Sequence, residues 1–418
     1  MKKNNYRLFG WGLTIALLLQ PSISLAQNLP PNETNDNSPA PVLTNLSNNQ
    51  SLIKSSTAVT DGSLMLSNLR TARQELQDRL IKNNKQPTKP TFVTSYSAPV
   101  EITLALWQEE NNQLIYLSAY KAGNKIQLKE KSDYQLEVTY NNGVNSQYRV
   151  TGQPTAYVLA VIHPIYHSQG TTQRPFYRLE NVVYAPFHDY LLKPALITAG
   201  QEYFANKIAA VYEELRVTGV RSYAYPKELL ADVLDPALVK VIIAIEHVSA
   251  HQLLNNNHYD YLSQFYVTLA GNEQAAYAYA KSSASARGLV QFIPTTYQSL
   301  RKLQPGLTLP TDFVQGMTDP YNAIKAAIGL MDYNLIFIPS NLRTKEKLKE
   351  KNIGALLAAI YNGGPSRLRK ALAVWGENWD KLHSKNSLKL ETVNYVAKYE
   401  LVYDHFASGE QMFLALKP

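Results

Sequence analysis

Glu246 closes an apolar run made of Val239, Val241, Ile242, Ile243 and Ile245, which follows Asp235-Pro236. An aspartate before a proline reads as an N-cap with proline at the first helical position. The spacing predicts a helix that starts at 236 and delivers a carboxyl group at the end of a buried face. Burial disfavours a charged carboxylate and favours its protonated form, which is what a general acid at neutral pH requires. The other reading of the same residue is an ordinary glutamate on a solvated helix face. Further along, Gln291 sits in Gly288-Leu289-Val290-Gln291-Phe292. Its amide either binds a ligand or closes an internal hydrogen bond. Tyr361 and Asn362 precede Gly363-Gly364-Pro365, a turn that stops one helix and starts the next. Tyr395 either lines a cleft or packs in the core. Asp319 before Pro320 is most simply another N-cap and is not counted as catalytic. With no cysteine in the chain, disulfides, thiolate metal sites and a cysteine nucleophile are excluded.

The elements that would carry these residues change character along the chain. Residues 201–418 have helical periodicity: Ile324, Ile328, Met331 and Leu335 share a face, as do Ile353, Leu356, Leu357 and Ile360, and Leu368, Ala371, Leu372 and Trp375 repeat the pattern. Residues 90–165 instead hold short runs rich in β-branched and aromatic residues. Asn141-Asn142-Gly143 between two of them signals a hairpin. The expected fold class is therefore α+β and multidomain: a small β-rich domain at 90–165, a connecting segment at 166–200 and a mostly helical domain at 201–418. Leu66, Leu69, Leu76 and Leu80 near heptad spacing predict a helix at 63–89 that docks on its own protein.

The N-terminus reads as an address. Lys2, Lys3 and Arg7 precede the apolar or neutral stretch Leu8 to Leu19, and Ser24-Leu25-Ala26 offers a small-x-small cleavage site. Residues 1–26 are expected to be a secretory signal peptide, too short in its apolar part for a stable membrane anchor, since a spanning helix needs about 20 residues. Polar residues 27–62, rich in Asn, Ser, Pro and Thr and without an aromatic, read as a flexible linker. The expected location is the periplasm. The net charge of +8 includes the three basic residues of the leader, so the mature surplus is modest. With export, that argues against nucleic acid as a partner.

Four segments in order carry a family resemblance. Ser285 to Thr296 resembles the "GLMQ-hydrophobic-x-P-x-T" segment of soluble lytic transglycosylases, the goose-type-lysozyme-like group. Asp319-Pro320-Tyr321-Asn322-Ala323-Ile324 matches their "DPxxNI" helix start, Ala358 to Pro365 resembles their "AAYNAGPG", and Glu391-Thr392-Val393-Asn394-Tyr395-Val396 resembles their closing "ETxxYV". The resemblance spans about residues 201–406. It implies a lysozyme-like helical domain that cleaves the MurNAc–GlcNAc bond of peptidoglycan and leaves 1,6-anhydro-MurNAc ends. It implies that Glu246 acts first as acid and then as base, with neither cofactor nor metal. It brings Tyr361 towards that glutamate and Asn362 towards the sugar. Gln291 and Tyr395 complete the expected substrate-binding set. The expected partner is the glycan strand, with an envelope-complex protein as a further partner through the β-rich domain.

Two departures stand against this pattern. The family places Ser directly after its glutamate, whereas here His247 follows and Ser249 comes two residues later. The gap between Glu246 and Gly288 is also long, and Leu253 to Tyr279 is an extra, aromatic-rich segment. It reads as a lid or wall over a cleft, as core packing, or as a mark of lost activity. The competing class is a catalytically silent peptidoglycan-binding scaffold.

Overall fold

A computed structural model describes residues 54–84, 92–95, 98–168, 174, 176–248, 258–282, 284–383 and 385–407. The proposed signal peptide and most of the proposed linker lie outside the described residues. Among the described residues no helix is long and apolar enough to cross a membrane.

The chain opens with helix α1 (Lys54–Asn84). Its buried face is Met65, Leu69, Ala72, Leu76 and Leu80, so the helix is read in the right place with a slightly shifted face: Leu66 is only half-buried. The linker boundary at 62 is corrected, because Lys54–Gly62 is already helical. Once a docked helix is nucleated, each further residue adds one hydrogen bond, so polar residues can extend it beyond the packed turns.

Strands β1 (Phe92–Val93), β2 (Val100–Gln108), β3 (Gln113–Ala122), β4 (Lys125–Leu128), β7 (Ala156–Ser168) and β8 (Tyr177–Tyr184) form an antiparallel sheet in the order β1-β8-β7-β2-β3-β4. Strands β5 (Gln135–Tyr140) and β6 (Gln147–Thr151) pair separately as the hairpin that Asn141-Asn142-Gly143 signalled. The β-rich unit therefore extends past residue 165. The segment read as a connection at 166–200 holds the end of β7, all of β8 and the start of helix α2 (Pro194–Val217). Val182, Val183 and Tyr184 are buried where β8 lies against β7, and it is this long-range pairing that makes the run a strand.

One face of the sheet packs under the β5–β6 hairpin through Ile102, Leu104, Val158, Val138 and Tyr148. The other face buries Trp107, Leu159, Ala160 and Val183 against α1. That cluster also takes in Leu196 of α2 and Val267 of α4 (His258–Asn272), so α1 links sheet and helices. At the C-terminal end of α4 the fully buried Asn272 side chain donates to Ala185 O (2.9 Å) and accepts from Ala185 N (2.8 Å). A side-chain amide thereby answers both polar groups of one backbone residue beyond the end of β8.

The helical half has one large core. Helix α3 (Pro236–Ile245) is buried along most of its length and is surrounded by α6 (Pro320–Leu335), α7 (Lys351–Gly363) and α9 (Leu390–Ala407). Helices α5 (Pro294–Leu303) and α8 (Pro365–Trp375) complete it. The α6 and α7 faces read from periodicity are buried throughout, whereas the α8 face is buried at Leu368 and Ala371 and only half-buried at Leu372 and Trp375. The described part of the extra segment is core. Leu262, Phe265, Tyr266 and Leu269 are buried, and α4 lies so close to α2 that a Cβ on Gly200 would stand 1.9 Å from Tyr266 O. A lid that opens from the domain is incompatible with that contact.

Candidate active site

Helix α3 starts where Asp235 accepts a hydrogen bond from Ala237 N at 2.8 Å and ends at Glu246, its C-cap. The apolar run drives the helix into the core, and the first side chain beyond it is the carboxylate. Part of the residue is accessible, while burial of the carboxyl group pushes its pKa up to about 7. Glu391 nearby adds to the rise; the Tyr395 hydroxyl and the Lys398 ammonium oppose it. Tyr395 donates to Glu246 Oε1 at 2.5 Å. A carboxyl group with a pKa near 7 is poised to exchange a proton at neutral pH.

The other predicted residues converge on this point to different degrees. Tyr361 lies at the end of α7, within electrostatic reach of Glu246, and donates to Val290 O at 2.7 Å. Its phenol pKa is raised by burial first and by Glu246 second. Tyr395, on α9, is 5% exposed; it is at once a core residue and the hydrogen-bond donor to the carboxylate. Asn362 accepts from Thr392 Oγ1 at 2.8 Å and bonds the Glu391 carboxylate, and so ties α7 to the first turn of α9. Gln291 spends its amide on Gly288 O at 2.8 Å, the internal bond that was one of its two readings. It has a φ of +48°, in a turn closed by Arg287 N donating to Phe292 O at 3.0 Å. Gly288 at φ +72° is required there: a Cβ would meet Met317 O at 1.9 Å. Asp319 caps α6 through Tyr321 N at 3.0 Å, as its place before Pro320 predicts.

The two departures from the family pattern are joined in space. The His247 ring stacks on Tyr277, with centroids 3.8 Å and planes 24° apart, and lies parallel to Phe265 at 6.2 Å. Both aromatics belong to the extra segment. His247 Nε2 lies 2.7 Å from Leu289 O; a carbonyl can only accept, so this nitrogen carries the proton. Burial lowers the ring's pKa to about 4, so His247 is neutral. It fastens Glu246 to the 288–292 turn on one side and to the extra segment on the other. Ser249 lies outside the described residues.

Sequence reasoning missed two members of this cluster. Glu391 is the first residue of the segment quoted for Tyr395, and its own pKa is raised by burial. Lys398, 7% exposed, reaches back to the α3 terminus from the same helix. The signal for both was the helical spacing Glu391, Tyr395, Lys398, which places three polar groups on one face of α9.

The comparisons with known proteins add one match. No curated protein and no solved structure matches the chain. The family model described as the transglycosylase SLT domain matches residues 255–384. That span holds Gln291, Tyr361 and Asn362; Glu246 precedes it, and Glu391 and Tyr395 follow it. The helical half thus contains a segment that matches the transglycosylase SLT domain, a domain found in peptidoglycan lytic transglycosylases.

Proposed function

We propose that this protein is an exported, periplasmic lytic transglycosylase in which Glu246 is the single acid and base. The observation that carries the reading is a carboxyl group on a half-buried residue at a helix end, held by the Tyr395 phenol and raised by burial to about 7. Protonated Glu246 donates to the bridging oxygen between MurNAc C1 and GlcNAc. The C1–O bond breaks with its electrons on the departing GlcNAc hydroxyl, and the substrate's acetamido oxygen covers the cation at C1. The MurNAc 6-hydroxyl then attacks C1 while Glu246 takes its proton. The 1,6-anhydro ring closes, the acid is regenerated and no water is consumed. A second catalytic carboxylate is not needed, in contrast to hydrolases that use two.

The test is turnover of purified sacculi by the unmodified protein and by Glu246→Gln, with mass analysis of the released muropeptides. Anhydro ends from the first and loss of about 10³-fold or more in the second are expected, near the upper range for general acid–base catalysis. Reducing ends would show that water enters the reaction, and equal cleavage by both proteins would remove Glu246 from the chemistry. The second reading, a silent peptidoglycan binder, draws on His247 in the position next to Glu246. It predicts sacculus binding with no released product from either protein.

A further inference from the structure

Lys398 is 7% exposed, and its ammonium donates to Ile245 O at 2.5 Å and to Val248 O at 2.8 Å. Those two carbonyls flank Glu246-His247 at the end of α3, where a helix leaves carbonyls without intrahelical partners and presents the negative end of its dipole. The same ammonium sits 5.1 Å above the Tyr395 ring, whose hydroxyl holds the Glu246 carboxylate. One buried cation thus grips the backbone on both sides of the carboxylate and backs its hydrogen-bond donor. Burying an ammonium is costly, and neutral groups such as a glycine C-cap can end a helix without that cost. What a neutral cap cannot supply is a positive potential at Glu246.

We propose that Lys398 is a positioning residue that fixes the Glu246 carboxylate and keeps its ionised form accessible, so that one group can both give and retake a proton. This deepens the proposed role of Glu246 and rests on it. Among the described residues, the groups facing Glu246 are Glu391, Tyr395 and Lys398 from α9, Tyr361 from α7 and the neutral ring of His247 beside it. Tyr395 and Lys398 favour the ionised form, whereas burial and Glu391 oppose it. Burial lowers Lys398 itself to about 8, with Glu246 and Glu391 pulling the other way. The cation is therefore present over the range in which Glu246 titrates.

Lys398→Met removes both the bonds and the charge, whereas Lys398→Arg keeps the charge and alters the geometry. In sacculus turnover against pH, Lys398→Met is expected to move the alkaline limb upward by about one pH unit, the direction a lost neighbouring cation dictates. It should also lower kcat by about 10- to 100-fold, with KM little changed, as misplacement of a catalytic group does. Lys398→Arg should lower kcat with the limb unmoved. A folded Lys398→Met protein whose alkaline limb stays in place would overturn the proposal. If neither variant folds, the Glu246 carboxyl carbon decides, followed by ¹³C NMR in the unmodified full-length protein and identified by its loss in Glu246→Gln. Its titration must show a second inflection near 8 from Lys398, and a single inflection overturns the proposal. Glu246→Gln assayed alongside separates the two ideas: full activity there sinks the role of Glu246, whereas its inactivity with an unmoved limb in Lys398→Met sinks Lys398 alone.

Discussion

Among the carboxyl groups of the helical half that burial raises, Asp332 and Glu246 have opposite surroundings. Asp332, on α6, is fully buried. It accepts from the Ser222 hydroxyl, from Tyr223 N at 2.6 Å, from Gln304 Nε2 at 3.3 Å and from the Ala224 backbone. Burial pushes its pKa up and those four donors pull it down. Glu246 is half-buried, and among the described residues its carboxylate accepts from the Tyr395 hydroxyl on Oε1. A raised pKa alone does not separate them. What separates them, among the described residues, is how many donors answer each carboxylate: Asp332 is a joint between the 222–224 turn and α6 with four, whereas Glu246 meets one hydroxyl.

The contrast can be broken most sharply by exchanging each carboxyl for its amide. Glu246→Gln should remove turnover by about 10³-fold or more while leaving thermal unfolding intact or improved. Asp332→Asn should do the reverse, because its new NH₂ group would face donors in a closed pocket. It should lose about 2–4 kcal/mol in denaturant unfolding, with turnover per folded molecule retained. If Asp332→Asn were as stable as the unmodified protein, the distinction between the two carboxylates would fail.

A pH series sharpens the same comparison. The folded pKa of Glu246, about 7, lies above the ordinary value of 4.5. Its contribution to stability is therefore fully present below 4.5 and lost as pH rises through 7. Stability of the unmodified protein should fall relative to Glu246→Gln between those limits. A tenfold change in proton affinity is worth about 1.4 kcal/mol, which bounds the whole fall at about 3–4 kcal/mol. Equal pH dependence in the two proteins would show that the carboxyl is not held in a desolvated state. The smallest effect is expected at the neighbour: His247→Ser should cost about 1 kcal/mol through the lost stack on Tyr277, read by denaturant unfolding, and should not raise turnover. A gain in turnover would mean that the histidine obstructs the site.

The parts of this arrangement written in local sequence were legible. Asp235-Pro236 and Asp319-Pro320 announce helix starts, and Asn141-Asn142-Gly143 announces a hairpin, because caps and turns are decided within a few residues. Glu246 was legible as the end of an apolar run. The rest depends on which elements meet: spacing gathers Glu391, Tyr395 and Lys398 on one face of α9 but does not say what that face touches. Lys398 meets Ile245 across 153 residues, and His247 meets Leu289 across 42. Strand β8 was missed because its partner β7, not its own pattern, makes it a strand. The aromatics of the extra segment left a cover, core packing or lost activity open in sequence; Phe265 and Tyr266 are spent on the core.

The reciprocal bonds between Asn272 and Ala185 bear on inheritance as well as stability. The amide comes from α4, inside the segment that matches the SLT domain, and the backbone it answers belongs to the β-rich half. A helical half passed on without the sheet would carry an orphaned amide and an uncovered Val267, and a sheet without the helices would expose Ala185. Recombination that shuffles domains as independent cassettes would be penalised at this seam. Helix α4 and the β-rich half are therefore expected to be gained and lost together.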